Sequence, residues 1–113
     1  MTDSEGALTL TVAQRDAVAD VVASGEVDIH TCDQLEATLV SLAGDGVRSI
    51  SLDLGQVRFI DSSGLRALVV GHTALGENGG SLLIANPSAM TARLLEITGL
   101  DELFRGGAGR RTD

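Results

Sequence analysis

The chain has 113 residues, 43% hydrophobic and 21% charged, with a formal charge of −8 in which all eight cations are Arg. That length suits one domain able to bury roughly two thirds of its unfolded surface; Phe59 and Phe104 are the only aromatics, so the core must be aliphatic. A negative surface repels phosphate backbones and anionic headgroups, which argues against nucleic acid and membrane as partners and favours a protein with a basic rim.

Residues 7–13 alternate, with Leu8, Leu10 and Val12 on one face and Thr9 and Thr11 on the other. This predicts a half-buried strand ending at Gln14-Arg15-Asp16. Residues 17–23 are apolar except for Asp20 and predict a second strand, antiparallel to the first and closed by Ser24-Gly25. Thr31 and Gln34 fit a capping box before a helix over 32–43, whose stripe is Leu35, Leu39 and Leu42 and whose stops are Gly44 and Gly46. Residues 49–54 alternate again, with Ile50, Leu52 and Leu54 on one face, and the preceding helix permits a parallel crossover.

Beyond Val57, Phe59 and Ile60, the run Asp61-Ser62-Ser63-Gly64 opens a second helix with the stripe Leu65, Leu68, Val69, His72 and Leu75. Either Asp61 or Ser62 can cap it. A turn at 77–80 leads into a strand over 81–85. Asn86-Pro87 reads as an N-cap with Pro at the first helical position, before a stripe of Met90, Leu94 and Ile97 and a stop at Gly99. Leu100, Leu103 and Phe104 are expected to pack back onto the body. The order is ββαβαβα, an α/β domain with one mixed sheet and helices mainly on one face. Residues 7–104 form the expected domain, flanked by a flexible N-terminus (1–6) and a flexible C-terminal tail (105–113).

Much chemistry is excluded by count. Cys32, His30 and His72 are too few for a structural zinc site, and a chain without Lys has no Walker loop. No Gly-x-Ser-x-Gly elbow surrounds Ser62 or Ser63. Asp53 near a strand end invites comparison with an aspartyl-phosphate receiver, but two opening strands and the absence of Lys reject it. Nucleotide hydrolysis has only Arg58 or Arg66 to offer as phosphate ligands. No catalytic residue, cofactor or metal is therefore expected. A lone Cys32 forms no intramolecular disulfide and reads as a small buried residue, with His72 at the boundary of the core. No apolar run approaches the roughly 20 residues of a membrane span, and residues 1–6 are unlike a signal peptide, so the cytoplasm is the expected location.

Two stretches, Gly25-Glu26-Val27-Asp28-Ile29-His30-Thr31 and Phe59-Ile60-Asp61-Ser62-Ser63-Gly64-Leu65, together resemble the STAS family of anti-sigma-factor antagonists. Gly79-Gly80 and Leu94-Leu95-Glu96-Ile97-Thr98-Gly99-Leu100 agree, so the resemblance covers roughly residues 8–104 and implies a single STAS-like domain. It further implies a non-catalytic partner switch. The unmodified protein would bind an anti-sigma factor that is also a serine kinase of the GHKL type, freeing a sigma factor. Phosphorylation of Ser62 would release that partner, and a serine phosphatase would restore binding. By the same matching, Asp28 lies near Ser62, and Asp28, Asp61, Ser62, Ser63 and Gly64 form the partner-binding face. Gly64 is either first-turn slack or a bare surface for a kinase to approach. Longer relatives continue with a further strand and helix, whereas residues 105–113 have no apolar period, so that last helix is expected to be absent. The competing reading is a STAS-like interaction subunit of a transport or stress-signalling complex without kinase control. No oligomeric state follows from the residues.

Overall fold

The computed structural model describes residues 7–104. The expectations for 1–6 and 105–113, including the absent last helix, lie outside the described residues. Strands β1 (Leu8–Arg15) and β2 (Val18–Val27) precede α1 (Cys32–Gly44), β3 (Ser49–Ile60), α2 (Ser62–Gly76), β4 (Ser81–Ala85) and α3 (Ala89–Thr98). One sheet runs β1-β2-β3-β4, antiparallel at β1/β2 and parallel at β2/β3 and β3/β4. The expected order and mixed sheet are those of the structure.

The hairpin pairs Arg15 with Val18, leaving Asp16-Ala17 as a two-residue turn with Asp16 at φ 57°. Asp tolerates that left-handed conformation, and such a turn matches the strand twist. The turn therefore falls later than the polar cluster at 14–16 suggests. Val12 is also more exposed than its place in the alternation implies.

Both long strands outrun their sequence signals. β2 continues through Ser24-Gly25 to Val27, and β3 continues through Gly55 to Ile60. Register shifts between Val22/Ser24 and Gly25/Glu26 absorb the irregularity. Gly25 has φ +119°, and a Cβ there would stand 2.1 Å from the Ala7 carbonyl oxygen. Glycine here marks a bulge, not the end of a strand. The consequence is functional, because the extended strands end together, with Val27 beside Ile60.

Ala19, Val21, Ile50, Leu52, Leu54 and Leu82 cover one sheet face and are buried with Leu35 and Leu39 of α1 and Leu68 and Leu75 of α2. The register Ala19–Ile50–Leu82 aligns them across three strands. The opposite row, Ala13–Asp20–Ser51–Leu83, is exposed or half-buried, so this side of the sheet meets water. Asn78 at the far end of α2 donates through Nδ2 to the Ala43 carbonyl at 2.8 Å, tying α2 to α1. Phe59 is 43% exposed, which leaves Phe104 as the core's aromatic residue, edge-on to the half-buried His72 with centroids 5.7 Å apart.

The third helix departs from expectation at its start and in its face. Asn86 is left-handed (φ 51°), with its side chain 3.4 Å from Asp53 Oδ1, and Ser88 is the N-cap, accepting from Thr91 N–H at 3.3 Å. Starting at Ala89, the helix buries Thr91 and Leu95, while Met90 and Ile97 are exposed at 42% and 69%. The two stripes are offset by one residue, roughly 100° around the helix, and the path of the chain out of β4 selects the second. The Thr91 hydroxyl tolerates burial because it pairs with Ser88 Oγ at 3.0 Å. Leu100 and Phe104 pack back as expected, but Leu103 is 38% exposed.

Candidate functional site

The joined ends of β2 and β3 bring two loops to one place. Asp61 N–H donates to the Val27 carbonyl at 3.2 Å, fastening the start of α2 to the segment that leads into α1. In that segment Asp28 Oδ1 accepts from His30 N–H at 2.9 Å and Thr31 N–H at 3.2 Å. Asp28 is thus half-buried and organises its own turn.

The capping box at Thr31 and Gln34 does not form. Thr31 occupies the N-cap position of α1 without a side-chain cap bond, its backbone near the helical region at φ −116°, ψ −12°. Its hydroxyl is already committed, donating to the Glu26 carbonyl at 2.7 Å and accepting from Asp28 N–H at 3.0 Å. Gln34 Nε2 reaches across to the Leu8 carbonyl at 2.9 Å. These residues stitch loop to strand instead of starting a helix.

At α2 the structure decides between the two possible caps. Asp61 is extended (φ −118°, ψ −168°), and its Oδ1 accepts from Ser63 N–H at 2.9 Å and Gly64 N–H at 3.3 Å. Ser62 is therefore the first helical residue. It is exposed, and its hydroxyl makes no hydrogen bond among the described residues. Replacing Asp61 by Ala is expected to cost about 1 kcal/mol of stability, read as a lower urea midpoint, with Asp61→Asn recovering most of it.

Ser62 and Ser63 open into a shallow depression of about 470 Å³ lined also by Ile29, Cys32, Asp33, Glu36 and Arg66. Asp28 and Asp61 shape the two loops without lining it, and Gly64 lies beneath, buried. A Cβ at Gly64 would stand 2.6 Å from Ile60 Cγ1 and 2.8 Å from Val27 Cγ1. Space inside the fold accounts for glycine there, a reason beside the two the sequence left open, first-turn slack and a bare surface for a kinase. Cys32 is half-buried and not sealed in the core, and its thiol contacts the Ile29 carbonyl at 3.7 Å. Burial, and then the Asp33 carboxylate, push its pKa upward, which favours the protonated thiol at neutral pH.

Ile29, 71% exposed, and Asp33 and Glu36 were not legible as site residues. A signal existed for the last two, since Cys32, Asp33 and Glu36 lie off the Leu35–Leu39 stripe, but α1's neighbour was unknown. Among the described residues no group of three or more His, Cys, Asp or Glu could hold a metal ion, and no helix is long and apolar enough to cross a membrane.

A family model described as the STAS domain matches residues 9–111. The anti-sigma-B factor antagonist of Staphylococcus aureus (strain NCTC 8325 / PS 47) is 34% identical over 106 residues, covering 94% of this chain and 98% of that protein. A crystal structure of an anti-sigma factor antagonist from Mycobacterium paratuberculosis is 31% identical at a TM-score of 0.73, covering 88% of this chain and 84% of that one. The anti-sigma factor antagonist SpoIIAA in its unphosphorylated form superposes at a TM-score of 0.76 over 84% of each chain; at 21% identity this likeness concerns the fold.

Proposed function

Because the chain belongs to the STAS domain family, we propose that it is an anti-sigma factor antagonist, a regulatory binding protein and not an enzyme. Residues 7–104 are the unit that carries the activity. In its unmodified form it docks on an anti-sigma factor that is also a serine kinase of the GHKL type, and so frees a sigma factor in the cytoplasm. Phosphorylation of Ser62 ends the docking, and a serine phosphatase reverses it.

The observation that carries this reading is the Ser62 hydroxyl, exposed and without a hydrogen bond among the described residues, at the first residue of α2. A kinase can reach it without unfolding anything. The helix N-terminus tolerates an added anion, so phosphate changes the charge of the surface and leaves the backbone in place. Asp28 and Asp61 hold the two loops that present Ser62 and Ser63, while Gly64 lets α2 start close against β2 and β3.

Incubation with the cognate kinase and ATP is expected to add one phosphate, mapped to Ser62 by intact mass and fragmentation, and to leave Ser62→Ala unmodified. A phosphate mapped to another residue would refute the assignment of the site. Capture from native cells of transport or stress-signalling subunits, with no kinase or sigma regulator, would establish the alternative of a STAS-like interaction subunit.

A further inference from the structure

Resting on that reading of Ser62, we infer that Arg66 is the intramolecular partner of the Ser62 phosphate, a positioning residue that holds the modification against α2. A helix N-terminus ordinarily offers an anion its free amides. Here two of those amides are taken, because the Asp61 carboxylate accepts from both Ser63 N–H and Gly64 N–H. The cap that starts α2 thus removes two donors a phosphate would use and puts a negative charge beside it.

The rest of the depression is no more welcoming, since Asp33 and Glu36 line it across from the serines. Arg66 is the one cation among the lining residues. It stands four residues after Ser62 on α2, the spacing that places side chains on one helix face a turn apart. Arg66 is exposed and makes no ion pair with a carboxylate among the described residues, so its guanidinium is available. Guanidinium and phosphate match in shape as well as charge, with two parallel N–H···O bonds possible.

This contact gives the phosphate a second effect on docking. Besides adding negative charge, it draws Arg66 away from whatever that side chain meets on the partner. The modified surface then loses a cation as it gains an anion. Arg66 also favours the doubly charged phosphate at neutral pH, keeping the modified state fully repulsive.

The test uses the full chain with phosphoserine installed at position 62 during synthesis, so that it depends on no kinase. The second ionisation of the phosphate, ordinarily near about 6, is followed by the phosphorus NMR shift against pH at low salt. Arg66→Gln is expected to raise that pKa by roughly 0.2 to 0.7 unit, the range an exposed ion pair supports. Arg66→Lys should restore part of the shift, and high salt should shrink the difference. Since Arg66 is exposed, these variants are expected to fold. Superposable titration curves for the parent and Arg66→Gln would overturn the inference whatever the partner does. A shift accompanied by unchanged partner binding would uphold the Arg66 contact and refute the switch at Ser62 instead.

Discussion

Phosphorylated at Ser62, the protein is expected to bind its anti-sigma partner more than about a hundredfold more weakly than the unmodified form, while Ser62→Ala stays bound. An unfavourable change of about 3 kcal/mol at the interface suffices for that ratio. Phosphate brings roughly −1.5 to −2 charge to a surface already carrying Asp33 and Glu36. A partner complementary to the unmodified surface cannot follow that change without leaving charges unmatched. Ser62→Asp adds one charge and less bulk, so its loss should be smaller, on the order of tenfold. Calorimetric titration at fixed ionic strength reads these affinities, and higher salt should narrow the gaps between them. Urea midpoints should barely move, because the Ser62 hydroxyl makes no hydrogen bond among the described residues. Loss of all binding in a folded Ser62→Ala would show that the hydroxyl itself is a docking group, and the switch would need another explanation.

Gly64→Val is expected to fail in the opposite way, losing stability first and binding only as a consequence. The new Cβ would fall 2.6 Å from Ile60 Cγ1 and 2.8 Å from Val27 Cγ1. Both neighbours are buried and β-branched, with little room or rotamer freedom to yield. Overpacking of this kind costs typically about 1–3 kcal/mol and occasionally more, a large share of the roughly 5–15 kcal/mol that holds a small domain together. The predicted signature is a lower urea midpoint at an unchanged slope, with binding falling as α2 is forced away from the ends of β2 and β3. A midpoint equal to the parent's would mean that the helix start moves freely, removing the packing account of Gly64. Comparing the variants separates a change of surface chemistry at Ser62 from a change of scaffold two residues later.

Position in sequence did not reveal these different duties within Asp61-Ser62-Ser63-Gly64. The motif could be recognised because a short acidic-polar run before an apolar helical stripe is a local pattern, and Ser62 was singled out from it by the resemblance to the STAS family. Which residue capped the helix was open, since Asp and Ser are nearly equal caps. The extended backbone at Asp61 settled it. The same applies to Thr31, whose sequence context fits a cap equally well but whose hydroxyl is drawn to the Glu26 carbonyl by the way β2 ends.

Local periodicity was enough to determine the seven elements, their order, the mixed sheet and the inward faces of α1 and α2. Apolar residues repeating at the helix or strand period have one way to leave water. Tertiary structure alone decided where β2 and β3 end, which face α3 buries, and that Ile29, Asp33 and Glu36 come to the depression beside Ser62. Strands run on past glycines when a neighbouring strand supplies hydrogen-bond partners. A helix with two rival stripes buries the one its connection aims inward. Side chains from α1 and α2 meet at one depression only because Val27 and Ile60 finish side by side, a pairing between residues far apart in the chain.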